Sequence, residues 1–352
     1  MSLLARGRAP AGWPGSSPAM VERMQTRKIA SFDVSAISLG CMVLSHAYGN
    51  PPDPRTAADV LLKALDLGYT HFDTATLYGF GANETLLGNT LKNRRGEFML
   101  ASKCGMFRGT SGAKEIDGHP AVLTQNLEDS LKRLQTDVID LYYLHRWDKR
   151  IPIEESIGAM ADMVKQGKVR SIGLSEVSAA TLRKAHAVHP IAAMQSEYSL
   201  WTRNPEIAVL DACRELNVAF VAFSPLARGF LTGDIRDSAQ LPAKDIRLAM
   251  PRFQAPHFQN NLTLLTGFAQ IARENDCTMA QLCLAWLLAK APHIIPIPAT
   301  TRLDHLAENA GAAGVRLQPD AMQKMEALVN PQTVSGPRYN AAQLPEIDTE
   351  GD

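Results

Sequence analysis

The chain has 352 residues, 45% of them hydrophobic and 20% charged, which is enough apolar material for a globular core and excludes a disordered or fibrous protein. Its 36 basic and 36 acidic residues cancel, so the charge expected of a general nucleic-acid-binding protein is missing. No apolar run approaches the roughly 20 residues that a membrane-spanning helix requires. The length alone allows two ordinary domains or one large barrel or α/β domain.

The first 23 residues differ in composition from the rest of the chain. They are rich in Pro, Gly, Ala and Ser and contain no acid before Glu22. They lack the long apolar stretch of a secretion signal, whereas a transit peptide stays open. We predict that residues 1–23 form a disordered tail, or that translation starts at Met20 or Met24 and the segment is not part of the protein.

The predicted elements begin with a short hairpin at residues 27–34. From Ala36 onward, apolar runs typical of buried strands alternate with amphipathic segments typical of helices, which is the pattern of a parallel sheet. Eight strands are predicted, at residues 36–42, 71–75, 98–103, 140–145, 169–175, 193–198, 219–225 and 294–299. Helices are predicted at residues 56–67, 84–91, 120–134, 153–166, 179–188, 207–216, 262–288 and 303–312.

Eight strands, each followed by a helix, predict a (β/α)8 TIM barrel as one α/β domain over residues 24–330, with a tail at 331–352. A doubly wound sheet is the alternative, but Gly79-Phe80-Gly81 is followed by Glu84 where the third glycine of a dinucleotide fingerprint would stand. Residues 228–261 form a loop after the seventh strand that is long enough to act as a lid or binding loop.

The cysteines indicate a reducing compartment. There are five, none of them in a C-x-x-C pair: Cys41, Cys104, Cys213, Cys277 and Cys283. An odd and scattered set is not expected to build a disulfide framework or a zinc site. We therefore expect a cytoplasmic protein without a metal.

Polar side chains close three successive predicted strands. Asp73 and Tyr78 follow the second strand, Lys103 ends the third and His145 ends the fourth. Each one alone is more often a solvated or satisfied residue than a functional one. However, barrels of this type carry their chemistry at the carboxyl ends of the strands, and neighbouring strands lie about 5 Å apart. The four side chains can therefore converge on one point.

These four side chains are chemically consistent with one proton-donating site. A buried Asp73 needs a cation, since desolvating an unpaired charge is unfavourable, and Lys103 can supply it. We expect Lys103 to lower the pKa of Tyr78 from about 10, which would make the phenol a better proton donor near neutral pH. His145 can orient a carbonyl oxygen. The set suits the protonation of an oxygen that gains negative charge, as happens when hydride reaches a carbonyl carbon.

Seven segments resemble those of the aldo-keto reductase superfamily in order and spacing. They are HFDTATLYG (71–79), ASKCG (101–105), DLYYLHR (140–146), GLSE (173–176), QSEYSLWTR (195–203), FSPLARGFLTG (223–233) and IPIPATTR with HLAEN (295–302 and 305–309). The resemblance covers residues 24–329 and is closest to the bacterial, plant and fungal branch of general aldehyde and pyridoxal reductases.

The resemblance implies an enzyme that passes hydride from NADPH to the carbonyl carbon of small aldehydes, with ketones as a wider option. Asp73, Tyr78, Lys103 and His145 would form the catalytic set, with Tyr78 as general acid. NADPH would bind in an extended form without a Rossmann domain. The rival hypothesis is an NADPH-binding redox sensor or partner subunit with vestigial turnover. The physiological substrate and the choice between monomer and homo-oligomer stay open.

The resemblance also implies cofactor contacts. Ser175 and Gln195 would bind the nicotinamide carboxamide, with Glu176 where many members have Asn, and Phe223 would stack on the ring. The remaining contacts are Met42; Ser224, Leu226, Arg228 and Gly229 at the pyrophosphate and sugar; Thr300 and Arg302 at the 2′-phosphate; and Glu308 and Asn309 at the adenine. The planar fork of Arg302 suits a phosphate, which favours NADPH over NADH.

Simpler structural interpretations remain for several of these positions. Ser175 could serve only as a helix cap, and Ser224 with Pro225 could form only a turn. Trp147 stands where the branch usually has a smaller residue. We predict that Trp147 and Trp201 line the substrate mouth, with core packing as the alternative for Trp147.

Overall fold

The computed structural model describes residues 24–351, so the prediction for residues 1–23 lies outside the described part. The strands are β1 Thr26–Ile29, β2 Phe32–Ser35, β3 Leu39–Gly40, β4 His71–Asp73, β5 Met99–Cys104, β6 Met106–Arg108, β7 Lys114–Ile116, β8 Ile139–Leu144, β9 Val169–Ser175, β10 Ile191–Glu197, β11 Ala219–Phe223 and β12 Ile294–Pro296. The helices are α1 Pro54–Asp66, α2 Ala82–Leu91, α3 Pro120–Leu134, α4 Ile153–Lys165, α5 Ala179–Val188, α6 Val209–Glu215, α7 His257–Leu262, α8 Leu264–Glu274, α9 Met279–Lys290, α10 Leu303–Gly311 and α11 Ala321–Leu328. None of these helices is long and apolar enough to cross a membrane.

Eight strands form one parallel sheet in the order β3, β4, β5, β8, β9, β10, β11 and β12. Backbone hydrogen bonds join its two outer strands: Ser38 N–H donates to Pro296 O at 3.0 Å, and Gly40 N–H donates to Pro298 O at 3.1 Å. The sheet therefore curls round to meet itself, and the predicted barrel fold is confirmed.

The barrel interior is filled by every second residue of its strands, as the two-residue period of a strand dictates. Met99 and Ala101 of β5 and Leu141 and Tyr143 of β8 belong to one buried cluster. A Cβ at Gly173 would lie 2.5 Å from the Tyr143 ring, so glycine is needed there to admit the phenol ring. The next inward positions along the same two strands are residues 103 and 145. The inward-facing residues of β5 and β8 that fill the core are therefore followed by Lys103 and His145, two of the predicted polar residues.

The hairpin of β1 and β2 closes the amino-terminal end of the barrel. Its two strands pair antiparallel, as predicted, and its Ile29 and Val34 are fully buried in the same inner cluster. Arg27 donates to the carbonyl oxygens of Leu288 at 2.6 Å and Ala291 at 2.5 Å, which ties the hairpin to the end of α9. Solvent is thus excluded from one end, and the opposite end is left for a site.

The single helix predicted at residues 262–288 is wrong, because the structure has two helices there, α8 and α9. Asp276 takes a left-handed backbone conformation between them, with φ of 50°. Thr278 then starts α9 with a capping box, in which its side chain and that of Gln281 each accept a backbone N–H. The apolar residues run through both helices, so the hydrophobic pattern did not reveal the break.

The last 21 described residues form what we call the C-terminal strap, residues 331–351, where the sequence predicted only a tail. Arg338 Nη2 donates to Glu176 Oε2 at 2.8 Å, and Lys149 Nζ donates to Ile347 O at 2.6 Å. Thr181 Oγ1 donates to Asp348 Oδ2 at 2.7 Å. These bonds hold the strap against the carboxyl ends of the barrel strands.

Candidate active site

A cavity of about 740 Å³ opens at the carboxyl ends of the barrel strands. Tyr78 and His145 lie at one end of its lining, and Thr300 and Arg302 belong to the segment after β12 at the other. Residues of the 228–261 loop and of the C-terminal strap complete the wall. The loop is built from short 3-10 turns and α7 rather than being a structureless connector. One cavity wall therefore holds both sets of predicted residues.

Lys103 is the centre of the four residues predicted to converge. Its Nζ is fully buried and forms an ion pair with Asp73 Oδ1. The same atom donates to Thr74 O at 2.9 Å and to Tyr78 Oη at 3.1 Å. The His145 ring stands edge-on to the Tyr78 ring, with 5.8 Å between centroids. The structure thus brings all four side chains together, while their catalytic role stays a prediction.

A tight turn after β4 presents the Tyr78 phenol. Gly79 follows with a φ of 58°, and a Cβ at this position would lie 3.1 Å from Ser45 O, so the turn favours glycine on both counts. Asn83 ties the turn to its neighbours, because its Nδ2 donates to Cys41 O and its Oδ1 accepts from Thr74 Oγ1. The phenol is therefore held on a rigid support.

Burial controls the proton affinity of Tyr78. Desolvation raises the pKa of this phenol above its usual value, and the charge of Lys103 offsets only part of the rise. The expected net lowering of this pKa is therefore wrong. A phenol with a raised pKa is protonated at neutral pH, so Tyr78 carries the proton that a donor needs. Lys103 is placed to stabilise the phenolate that would remain after transfer.

Lys103 and His145 are held in opposite charge states. Burial lowers the pKa of Lys103, but the charge and hydrogen bond of Asp73 raise it by more, so the pKa lies above its usual value. Burial, and then the positive charges of Arg146 and Lys103, hold the pKa of His145 well below its usual value. At neutral pH an ammonium group therefore stands beside a neutral phenol and a neutral imidazole.

The residues predicted for the nicotinamide line the cavity next to this group: Ser175, Gln195 and Phe223, with Met42 on the facing segment. Gln195 Nε2 donates to Asp73 Oδ2 at 2.7 Å, so the amide is already oriented by the acid that pairs with Lys103. Glu176 does not line the cavity. It is buried at a φ of 56° and paired with Arg338 of the C-terminal strap.

The loop after β11 has a strained backbone. Ser224, Ala227, Arg228 and Gly229 all have positive φ, between 50° and 84°. Successive residues in turn and left-handed conformations form concave, amide-lined loops of the kind that bind anions. The Arg228 guanidinium donates to Glu197 Oε2 at 2.5 Å, so this arginine holds the loop in place. Leu226 also lines the cavity.

Thr300 and Arg302 line the far end of the cavity. Thr300 Oγ1 accepts the N–H of Arg302 at 3.0 Å, which fixes the start of α10. The exposed Arg302 guanidinium is bound through Nε and Nη2 to Asp304, with 3.0 Å between Nε and Oδ1. A phosphate bound by Arg302 would therefore meet a carboxylate already in place.

Four predicted contact residues lie outside the cavity lining. Glu308 and Asn309 are on α10, where Asn309 is buried and the Glu308 carbonyl accepts from Gln281 Nε2. Trp147 Nε1 donates to Ile151 O at 2.9 Å. Trp201 is buried and stacked on Phe230, with ring centroids 4.4 Å apart. Their predicted contacts with cofactor or substrate gain no support from this placement.

Arg146 and the C-terminal strap were not predicted as parts of the site. Arg146 follows His145 directly and lines the cavity, and its position was the signal that could have identified it. The strap contributes Tyr339 and Ile347 to the same wall. The strap has no strand or helix periodicity to identify it, and Arg338 lies 162 residues from its partner Glu176.

Comparisons with known proteins agree with one another. The family model described as Aldo/keto reductase family matches residues 36–330. The chain is 44% identical over 320 residues to the aldo-keto reductase yakc, NADP(+), of Schizosaccharomyces pombe, covering 89% of this chain and 94% of that protein. A glycerol dehydrogenase structure from Gluconobacter oxydans has a TM-score of 0.81 at 26% identity, covering 89% of this chain and 97% of that chain. An aldo/keto reductase structure from Klebsiella pneumoniae in complex with NADP and acetate has a TM-score of 0.70 at 26% identity, covering 90% and 99%.

Proposed function

Because this chain belongs to the aldo/keto reductase family, we propose that it reduces aldehydes to alcohols with NADPH, with Tyr78 as the general acid. The observation that carries the proposal is the contact of Lys103 Nζ with both Asp73 and Tyr78 Oη on the cavity wall. The relatives support the choice of cofactor, since one is named for NADP(+) and another is in complex with NADP.

The residues along the cavity fit an extended dinucleotide. The Phe223 ring offers an aromatic face beside Ser175 and Gln195, within the lining that also holds Tyr78. The left-handed loop at residues 224–229 suits a pyrophosphate. Arg302 is the exposed cation in reach of a 2′-phosphate, which an NADH molecule lacks. The proposed order along the cavity is therefore nicotinamide, pyrophosphate, then 2′-phosphate.

Each member of the catalytic group has a distinct role in this proposal. Bound NADPH supplies the hydride. His145 and Tyr78 hold the carbonyl oxygen of the substrate, and Tyr78 gives its proton to that oxygen as negative charge develops there. The Lys103 ammonium, 3.1 Å from Tyr78 Oη, stabilises the phenolate left behind. Asp73 compensates the buried charge of Lys103 and keeps Gln195 oriented.

Tyr78→Phe tests the proposal, because it removes the proton donor and keeps the ring. We expect kcat for a panel of pyridoxal, methylglyoxal and 4-nitrobenzaldehyde to fall about 10²- to 10⁴-fold, the range typical of a lost general acid. The rate is followed as loss of NADPH absorbance, and NADPH binding is titrated separately and should survive. The matched control is Tyr69→Phe, since the Tyr69 hydroxyl donates to Leu306 O away from the cavity lining.

A wild-type rate in Tyr78→Phe would contradict the acid role. A wild-type protein that binds NADPH tightly and reduces no aldehyde of the panel would instead support the rival function, a redox sensor or partner subunit. The intact contact between Lys103 and Tyr78 favours the enzyme.

A further inference from the structure

Arg146 differs from the other cations that line the cavity. Each of those has an acidic partner within 4.0 Å: Lys114 with Glu346, Arg228 with Glu197, Arg247 with Asp245 and Arg302 with Asp304. Arg146 has no such partner among residues 24–351. The positive charge of Arg146 is therefore not matched by a contacting carboxylate, although it faces the same cavity.

Nη1 is the one guanidinium nitrogen of Arg146 that forms hydrogen bonds with the described residues. Nη1 donates to His145 O at 2.7 Å and to Ser175 Oγ at 3.2 Å. Nε is buried and has no partner in the described part of the chain, and Nη2 makes no hydrogen bond with a described residue. Nη2 is therefore the guanidinium group left for an acceptor that the described residues do not provide.

The position of Arg146 specifies where that acceptor would lie. Arg146 follows His145 in the chain and contacts Ser175, so its guanidinium is at the end of the cavity where the carbonyl would react. Its charge acts on both catalytic side chains, since it helps to hold the pKa of His145 down and opposes the rise in the pKa of Tyr78. Arg146 therefore lies beside the catalytic residues, where the substrate of the proposed reaction would bind.

We propose that Arg146 binds an anionic oxygen group on the substrate, so that the enzyme prefers aldehydes that carry a carboxylate or a phosphate close to the carbonyl. This proposal rests on the aldehyde reductase function proposed above. The guanidinium can donate charge-assisted hydrogen bonds to either anion, and Nη2 is the group left for it because Nε is buried. The second lining cation at this end, Lys114, is already bound to Glu346 of the C-terminal strap and contributes less.

The test compares aldehydes with and without an anionic group. One pair is 4-carboxybenzaldehyde with its neutral isostere 4-formylbenzamide, and the other is glyceraldehyde 3-phosphate with glyceraldehyde. We expect the wild-type kcat/KM to favour the anionic member of at least one pair by roughly tenfold or more, the range of a charge-assisted hydrogen bond. The pair that shows the preference identifies the carboxylate or the phosphate as the group bound.

Two variants separate recognition of the anion from a purely structural role. Arg146→Gln should lower kcat/KM for the anionic aldehyde about tenfold more than for its neutral partner, and Arg146→Lys should restore part of the preference. Arg214→Gln, which removes an exposed arginine of α6, should keep the wild-type ratio. A second readout is calorimetric binding of 4-(hydroxymethyl)benzoate and its amide to the protein with NADP+, where only the benzoate should lose affinity in Arg146→Gln.

Three outcomes would overturn the inference. The wild type could reduce both members of each pair equally well, or Arg146→Gln could slow both members in the same proportion, which would reduce Arg146 to positioning His145 and Ser175. If the wild type oxidises NADPH with none of the four aldehydes, the proposed function itself fails and this inference fails with it.

Discussion

Ion pairs stand in opposite settings near the catalytic residues and at Arg302. At and behind the catalytic end, the side chains of Asp73 and Lys103 are 2% and 0% exposed, and those of Glu176 and Arg338 are 0% and 1% exposed. At the far end the side chains of Arg302 and Asp304 are 62% and 63% exposed. All three pairs join a carboxylate to a basic side chain, and they differ sharply in their exposure to solvent.

This difference separates two uses of charge. A buried charge that loses its partner is strongly destabilising, so the pairs at the catalytic end act as fixed structural units. An exposed pair contributes roughly 0–1 kcal/mol, so Arg302 can exchange Asp304 for another anion at small cost. We infer that the catalytic end is built in advance, whereas the far end is free to bind and release a phosphate.

The largest expected effect comes from breaking a buried pair. Arg338→Met leaves the buried Glu176 carboxylate without its main cation, and we expect a loss of about 3–5 kcal/mol in the free energy of unfolding by urea. The matched control is Arg214→Met, which breaks the exposed pair with Asp211 and should cost no more than about 1 kcal/mol. Equal losses in the two variants would contradict the contrast between buried and exposed pairs.

The same pair predicts how stability depends on pH. Burial raises the pKa of Glu176, but Arg338 and then Arg146 lower it by more, to about 2 from its usual value of 4.5. Since the folded-state pKa is depressed, this stabilisation is fully present above pH 4.5 and is lost as pH falls towards 2. In Arg338→Met this part of the pH dependence should shrink, because the main cause of the depressed pKa is gone.

A smaller effect is expected at the exposed end. Arg302→Ala removes the cation proposed for the 2′-phosphate, so the Kd of NADPH should rise roughly 10- to 100-fold, as expected for hydrogen bonds to a charged group. The Kd of NADH, which has no 2′-phosphate, should change little. Both constants are measured by fluorescence titration of the purified protein. An equal rise for both cofactors would remove Arg302 from the phosphate site.

The barrel was predictable from the sequence because its signals are local. Strand and helix periods alternate along the chain, and the bounds of β9, α3 and α5 agree with the prediction at both ends. Lys103 and His145 could be recognised because each ends an apolar strand whose alternate residues fill the barrel. Their convergence then follows from the parallel sheet alone.

The features that escaped prediction depend on distant parts of the chain. Arg338, the partner of Glu176, lies in the C-terminal strap, which has no strand or helix periodicity. The sequence around Glu176 does not indicate that an arginine 162 residues away pairs with it. The direction of the Tyr78 pKa shift depends on how deeply the folded barrel buries the phenol, which the local sequence around residue 78 does not contain. Arg302 and Asp304 are only two residues apart, but the sequence does not show that both Nε and Nη2 of the guanidinium bind the carboxylate.

The smallest expected effect tests whether Asp304 competes with the cofactor. Asp304→Asn removes the charge that now holds Arg302, so a 2′-phosphate would no longer have to displace a carboxylate. Exposed pairs of this kind contribute little, so the Kd of NADPH should fall by up to about fivefold while that of NADH stays the same. Asp211→Asn, in the remote exposed pair with Arg214, should change neither constant. A weaker binding of NADPH in Asp304→Asn would show that Asp304 orients Arg302 for the phosphate, and the exposed end would then be as preorganised as the buried one.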